Sequence, residues 1–203
     1  SLLTSTNKLI EYSQLHDLDL GSMSYQTMKR VLSQLNKYVM LKRLFLARSE
    51  RVDFVDLSGQ QANSLSQLLE LDLTSCTLDF SESNQQQHYF LNNSRSLQRL
   101  SLNNVTGLTG ERFAAYFNLA LFPNLTHLDL SNNRLFSFSV PAYSPLSNSL
   151  EHLLLVNCQL ASVRFDSPLE SLVSLDLSDN NLTISSSMYS VSYTRTRNVR
   201  LSR

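Results

Sequence analysis

His127 and His152 are the side chains in this 203-residue sequence best placed to do chemistry. Each stands one residue before a leucine in two successive copies of one short pattern, so stacking of the copies sets the imidazoles side by side. Asp129 follows two residues after the first histidine. Two imidazoles and a carboxylate could ligate zinc or a similar ion. The spacing supplies no third strong ligand, and Asp129 belongs to the repeated pattern itself. The preferred reading is therefore a pair of solvated histidines, with no metal and no cofactor. The glycines, Gly21, Gly59, Gly107 and Gly110, are too few and too badly spaced for a dinucleotide or phosphate loop. Neither H-E-x-x-H, a C-x-x-C pair nor G-x-S-x-G occurs. A non-catalytic protein is expected.

The elements that must position these residues are set by an internal period. L-x-x-L-x-L begins at Leu15, Leu41, Leu68, Leu97, Leu125, Leu150 and Leu172, at spacings of 26, 27, 29, 28, 25 and 22 residues. A weaker eighth copy starts near Thr196, with Val199 and Leu201. Three residues after the last leucine come Cys76, Asn133, Cys158 and Asn180, while Met23, Ser49 and Val105 depart from that choice. Alternation within each copy turns the leucines to one side, so neighbouring copies bury a continuous apolar spine. An Asn or Cys after the strand can satisfy backbone groups where the chain leaves the sheet.

On these residues, from about residue 15 onward, the chain resembles the leucine-rich repeat family. The resemblance implies an α/β horseshoe solenoid of about seven to eight repeats. Its parallel sheet would be concave and its convex returns helical or irregular. Residues 1–203 are expected to form one domain, a segment of a longer array, with Leu2, Leu3, Leu9 and Ile10 as the back of a preceding repeat. Met28, Val31, Leu32, Leu35 and Tyr38 predict one amphipathic helix over Tyr25 to Tyr38. A second is predicted over Glu111 to Leu121, capped by Thr109 and stopped by Pro123. The stretch Phe136 to Ser147, with two prolines, reads as irregular and extended.

The 17 basic residues balance the 17 acidic ones, so no overall field draws nucleic acid, and no apolar run is long enough for a membrane span. Cys76 and Cys158 sit three strand spacings apart, roughly 14 Å at the usual strand separation, too far for a disulfide. Unpaired cysteines favour an intracellular setting, cytoplasm or nucleus. Four N-x-S/T sequons, at Asn92, Asn104, Asn124 and Asn181, point toward an extracellular one. About four are expected by chance in this composition, so they do not decide the matter.

Aligned copies give rows across the sheet. One runs Asp17, Arg43, Glu70, Arg99, His127, His152, Ser174; its alternating charges can form a structural ladder or serve recognition. The next runs Asp19, Phe45, Asp72, Ser101, Asp129, Leu154, Asp176, Arg200. Phe45 and Leu154 interrupt this polar row and are expected to face solvent, Val156 extending the second patch. Exposed aromatic and arginine side chains are common interface anchors. The candidate binding residues are Arg43, Phe45, Arg48, Arg99, His127, His152, Leu154 and Val156, and the expected partner is another protein. End-to-end contact with flanking repeats or a second copy is also open, as is an acidic partner for Arg195, Arg197, Arg200 and Arg203. The family resemblance implies a scaffold or adaptor. The alternative is an extracellular recognition domain, immune-receptor-like, binding protein, glycan or lipid.

Overall fold

The computed structural model describes residues 14–53, 65–80, 91, 94–182 and 197–201. Eight short strands form one parallel sheet, in the order β1 (Asp17–Asp19), β2 (Arg43–Phe45), β4 (Glu70–Asp72), β6 (Arg99–Ser101), β7 (His127–Asp129), β9 (His152–Leu154), β11 (Ser174–Asp176) and β12 (Asn198–Arg200). Every pairing keeps the leucine register: Leu18, Leu44, Leu71, Leu100, Leu128, Leu153, Leu175 and Val199 lie level across the sheet. This level row turns inward, and from Leu18 to Leu175 all its members are buried. Each full leucine burial stabilises by about 2 kcal/mol. On β12 the same positions are open, Val199 at 40% and Leu201 at 56% exposure.

After each of the first seven strands the chain takes the same tight turn. Ser22, Arg48, Ser75, Asn104, Asn132, Asn157 and Asp179 all have φ between 53° and 61°. In the first six of these turns that left-handed residue donates its N–H to a carbonyl of the next repeat, as from Asn132 to Val156 at 2.7 Å and from Asn157 to Ser178 at 3.0 Å. After glycine, Asn and Asp tolerate this region best, and Arg48 occupies it at a cost.

Two parallel pairs lie outside the main sheet: β3 (Val52–Asp53) with β5 (Leu78–Asp79), and β8 (Ser137–Val140) with β10 (Ser162–Phe165). The stretch from Phe136 is thus extended but regular, and α3 (Leu146–Ser149) follows its two prolines. The helix expected over Tyr25 to Tyr38 is shorter. It ends as α1 (Tyr25–Leu32), and a 3-10 turn at Leu35–Lys37 carries Leu35 inward, because one continuous helix would rise past the point where Leu41 must enter the core. The second is likewise cut to α2 (Gly110–Tyr116), capped as expected by Thr109 Oγ1, which accepts from Arg112 N at 3.3 Å. Phe117 is already extended and Leu121 belongs to a 3-10 turn, so these two do not continue a helical face with Phe113. At Gly110 a Cβ would stand 2.2 Å from the Leu135 carbonyl oxygen, so the approach of the next repeat requires glycine. The residues expected to back a preceding repeat, Leu2 to Ile10, lie outside the described residues, as do Arg195 and Arg203.

Candidate functional site

The residues flanking each inward leucine point to the other face of the sheet, and the two rows read from sequence are reproduced in register. Their chemistry divides into groups already engaged and groups left open. Arg43 grips Asp17 with two bonds, Nε to Oδ1 at 2.6 Å and Nη2 to Oδ2 at 2.7 Å. The charge ladder stops there: neither Glu70 nor Arg99 makes an ion pair with a described residue. The aspartates of the second row are engaged differently. Oδ1 of Asp19, Asp72, Asp129 and Asp176 accepts the backbone N–H two residues on, at 2.8 to 3.0 Å, fixing the strand exit. Asp129 Oδ2 also accepts from Asn103 Nδ2 at 2.9 Å. The carboxylate beside the histidines thus has a structural task. Among the described residues no group of three His, Cys, Asp or Glu is arranged to hold a metal ion.

The eight candidate residues do not form one patch. Arg43, Phe45 and Arg48 belong to β2 and its exit turn. His127, His152, Leu154, Val156 and Arg99 gather on β6, β7 and β9. Four strand steps separate Phe45 from Leu154, about 19 Å at the usual spacing. Phe45 and Leu154 were expected to face solvent, with Val156 extending the second patch; all three are half-buried. Phe45 stands level with Asp19 and Asp72, and Leu154 with Asp129 and Asp176, on the adjoining strands. More exposed apolar groups lie elsewhere, among them Val39 (59%), Phe136 (56%) and Tyr143 (96%).

The second patch surrounds a shallow open depression of about 210 Å³ lined by Arg99, His127, His152, Leu154, Glu70 and Asp129 among others. The two imidazoles lie face to face at a tilt of 32°, ring centroids 4.3 Å apart. The Thr126 hydroxyl donates its single proton to the Gln98 carbonyl at 3.0 Å and lies 2.8 Å from His127 Nδ1. Nδ1 of His127 is thereby engaged, and its Nε2 has no hydrogen-bond partner among the described residues. His152 Nδ1 pairs with Ser174 Oγ at 2.9 Å. Burial, then the charge of Arg99 and the neighbouring His152, hold His127 below the usual histidine range, with Glu151 opposing.

Sequence reasoning missed one polar cluster. Asp53, 2% exposed on β3, accepts from Tyr25 Oη and Lys29 Nζ, both at 2.6 Å, and from Arg51 Nε at 2.8 Å. Arg51 also reaches Asp79 at 2.9 Å and lies over the Tyr25 ring at 4.8 Å. Burial works against the Asp53 charge, but the bonds from Lys29, Tyr25 and Arg51 outweigh it and hold the carboxyl below its ordinary value. The signal in the sequence is an acidic residue in an apolar run, Arg51-Val-Asp-Phe-Val; Arg51 is local to it, but Lys29 arrives from α1, which no local pattern reveals. This cluster ties α1 to the β3–β5 pair and is structural.

Cys76 and Cys158 are free and buried, and each thiol points to a carbonyl of the preceding strand exit, Leu46 O at 2.8 Å and Leu130 O at 3.2 Å. Burial pushes both up to about 11, so they act as neutral donors rather than nucleophiles. No helix among the described residues is long and apolar enough to cross a membrane.

Residues 124–146 and 171–190 match the Leucine Rich Repeat family. No curated protein matches the chain. Both matched segments carry the full consensus, L-x-x-L-x-L followed by Asn133 or Asn180, and the strands between and beyond them keep the same register in one sheet. The fold is that of a leucine-rich repeat α/β solenoid.

Proposed function

We propose that this chain is a non-catalytic scaffold or adaptor that holds another protein on the concave sheet and its adjoining exit turns. Leucine-rich repeats serve in general as protein-interaction surfaces, and the eight strands are read here as one per repeat. The observation that carries the reading is the division of labour on the open face. Its aspartates and Arg43 are consumed by the fold, whereas Arg99, both histidine Nε2 atoms and the half-buried Phe45, Leu154 and Val156 have no structural partner that accounts for them. Polar groups with open valences beside apolar ones are what an interface uses. Balanced charge gives nucleic acid no general attraction. The unpaired buried thiols favour an intracellular setting.

An extracellular recognition domain is the second reading, supported by the exposed sequon asparagines Asn104, Asn124 and Asn181. Expression through a secretory pathway followed by glycosidase treatment separates the two: a mass loss on treatment supports the second. The test of binding is affinity capture with the native chain and a Phe45→Ser, Leu154→Ser double variant. A partner kept by the native chain and lost by the folded variant supports the open face. A partner kept by both moves the site to the convex loops.

A further inference from the structure

We propose that Arg99, His127 and His152 form an anchor for a carboxylate side chain of the bound protein, and that the anchor binds a proton as it engages. The inference deepens the protein-binding reading and rests on it. Arg99 is an exposed guanidinium with no hydrogen bond or ion pair to any described residue, and His127 is its direct neighbour across the sheet. A guanidinium on such a face pairs best with a planar oxyanion. At neutral pH the uncharged His127 ring beside Arg99, with Nδ1 taken up by the Thr126 hydroxyl at 2.8 Å, gives that oxyanion no second positive charge. A proton taken from solvent makes the ring a cation with both nitrogens as donors, in the depression that Arg99 also lines.

The surrounding charges decide whether the site can favour an anion. On β4 stand Glu70 and Asp72; on β7, Asp129; beside β9, Glu151; on β11, Asp176; and on β12, Arg200. Asp72, Asp129 and Asp176 each have Oδ1 bound to their own exit turn, and Asp129 Oδ2 is held by Asn103 as well. Glu70 and Glu151 have no partner among the described residues; Glu70 competes for Arg99 from one side, and Glu151 favours a charged His127. The occupant that fits is an extended acidic segment, one carboxylate between Arg99 and His127 and an apolar neighbour on Leu154. Its arrival offsets the Arg99 charge that resists protonation of His127. The raised histidine value in the complex makes affinity level at low pH and declining as pH rises through the bound value.

The test uses the full chain and two probes, acetyl-Leu-Glu-Leu-Glu-Leu-amide and its counterpart with Gln for Glu, titrated at pH 5.5 and 7.5. The Glu probe is ionised at both. The expected result is saturable binding of the Glu probe, about tenfold tighter at the lower pH, with the Gln probe at least about tenfold weaker there. Glu70→Gln should strengthen binding. Arg99→Gln should weaken it at both pH values, and His127→Gln should remove the pH dependence with the circular dichroism spectrum unchanged. Arg99 bonds to nothing described, so its variant remains informative if the histidine variant unfolds. Equal binding of both probes, equal affinity at both pH values or no binding of the Glu probe overturns the anchor. If a captured protein is lost with the Phe45, Leu154 variant yet unaffected by Arg99→Gln, the anchor fails while the protein-binding reading stands.

Discussion

The repeats that exit through asparagine and those that exit through other residues solve one problem with different completeness. Asn133 Nδ2 donates to Leu102 O and Leu130 O, each at 2.7 Å, and its Oδ1 accepts from Val105 N at 3.0 Å. Asn180 does the same for Leu155 O, Leu177 O, Cys158 N and Leu160 N, at 2.6 to 3.0 Å. One amide thus joins two successive repeats from both sides of its own chemistry. A cysteine at this position supplies a donor alone, as Cys158 does to Leu130 O. Met23 and Val105 supply none. The first two repeats hold together by other means: α1 packs Met28 and Leu32 into the core, and Lys29 and Arg51 meet at Asp53. The half of the molecule with poorer exits has the richer ion cluster.

That difference can be broken at several places. The largest effect is expected for Asn133→Ala, which strands the Leu102 carbonyl and the Val105 N–H in a buried turn, leaves Leu130 O to the Cys158 thiol, and should cost about 3 kcal/mol; Ser49→Ala, at the same buried position, should cost less than about 1 kcal/mol. Urea unfolding of both variants measures the gap, and equal losses would show that the asparagine bonds do not distinguish the two halves.

Removing the charge at Asp53 acts on the other half. Asp53→Asn should cost about 2 kcal/mol, less than a fully enclosed ion pair because Lys29 and Arg51 each keep two-fifths of their side chains in water. The sign of its pH dependence follows from its lowered value. Below the unfolded carboxyl value of 3.8 the contribution declines, and it is gone once pH has passed through the lower folded value. Hydrogen exchange at α1 and β3 should therefore accelerate in acid ahead of β7 and β9, and the variant should lose that added acid sensitivity. Uniform acceleration across the sheet would contradict it.

How much of this was legible beforehand follows from the range of each interaction. Leucine spacing is local, so the register of the strands, the rows across them and the Thr109 cap could be read from the chain. So could the backbone role of Asn133, Asn180 and the cysteines. Exposure is not local. Phe45 and Leu154 looked free because the alternation along their strands places them outward, yet both are half-buried in the assembled sheet. The aspartates recur with the repeat, but the separate task of each, accepting the N–H two residues on, is set by the geometry of its exit turn. Asp53 was invisible because its cation Lys29 lies 24 residues away on a helix.

Smaller effects sharpen the comparison. Cys158→Ala removes one thiol donor and some packing and should cost about 1–2 kcal/mol, between the asparagine and serine exits; a loss as large as that of Asn133→Ala would deny the ranking. Arg48→Asn should stabilise by about 0.5–1 kcal/mol, since asparagine accepts the φ of 60° more readily. Thermal unfolding reads this change, and no gain would mean that Arg48 makes up for its backbone cost elsewhere.

The open face as the working surface is tested most directly by photo-crosslinking from single positions, with benzoylphenylalanine placed at Leu154 on the main sheet or at Phe136 outside it. An adduct with the captured protein from position 154, absent from position 136 despite the greater exposure there, is the predicted result. An adduct from position 136 with none from position 154 would place the partner on the returning side and contradict the account.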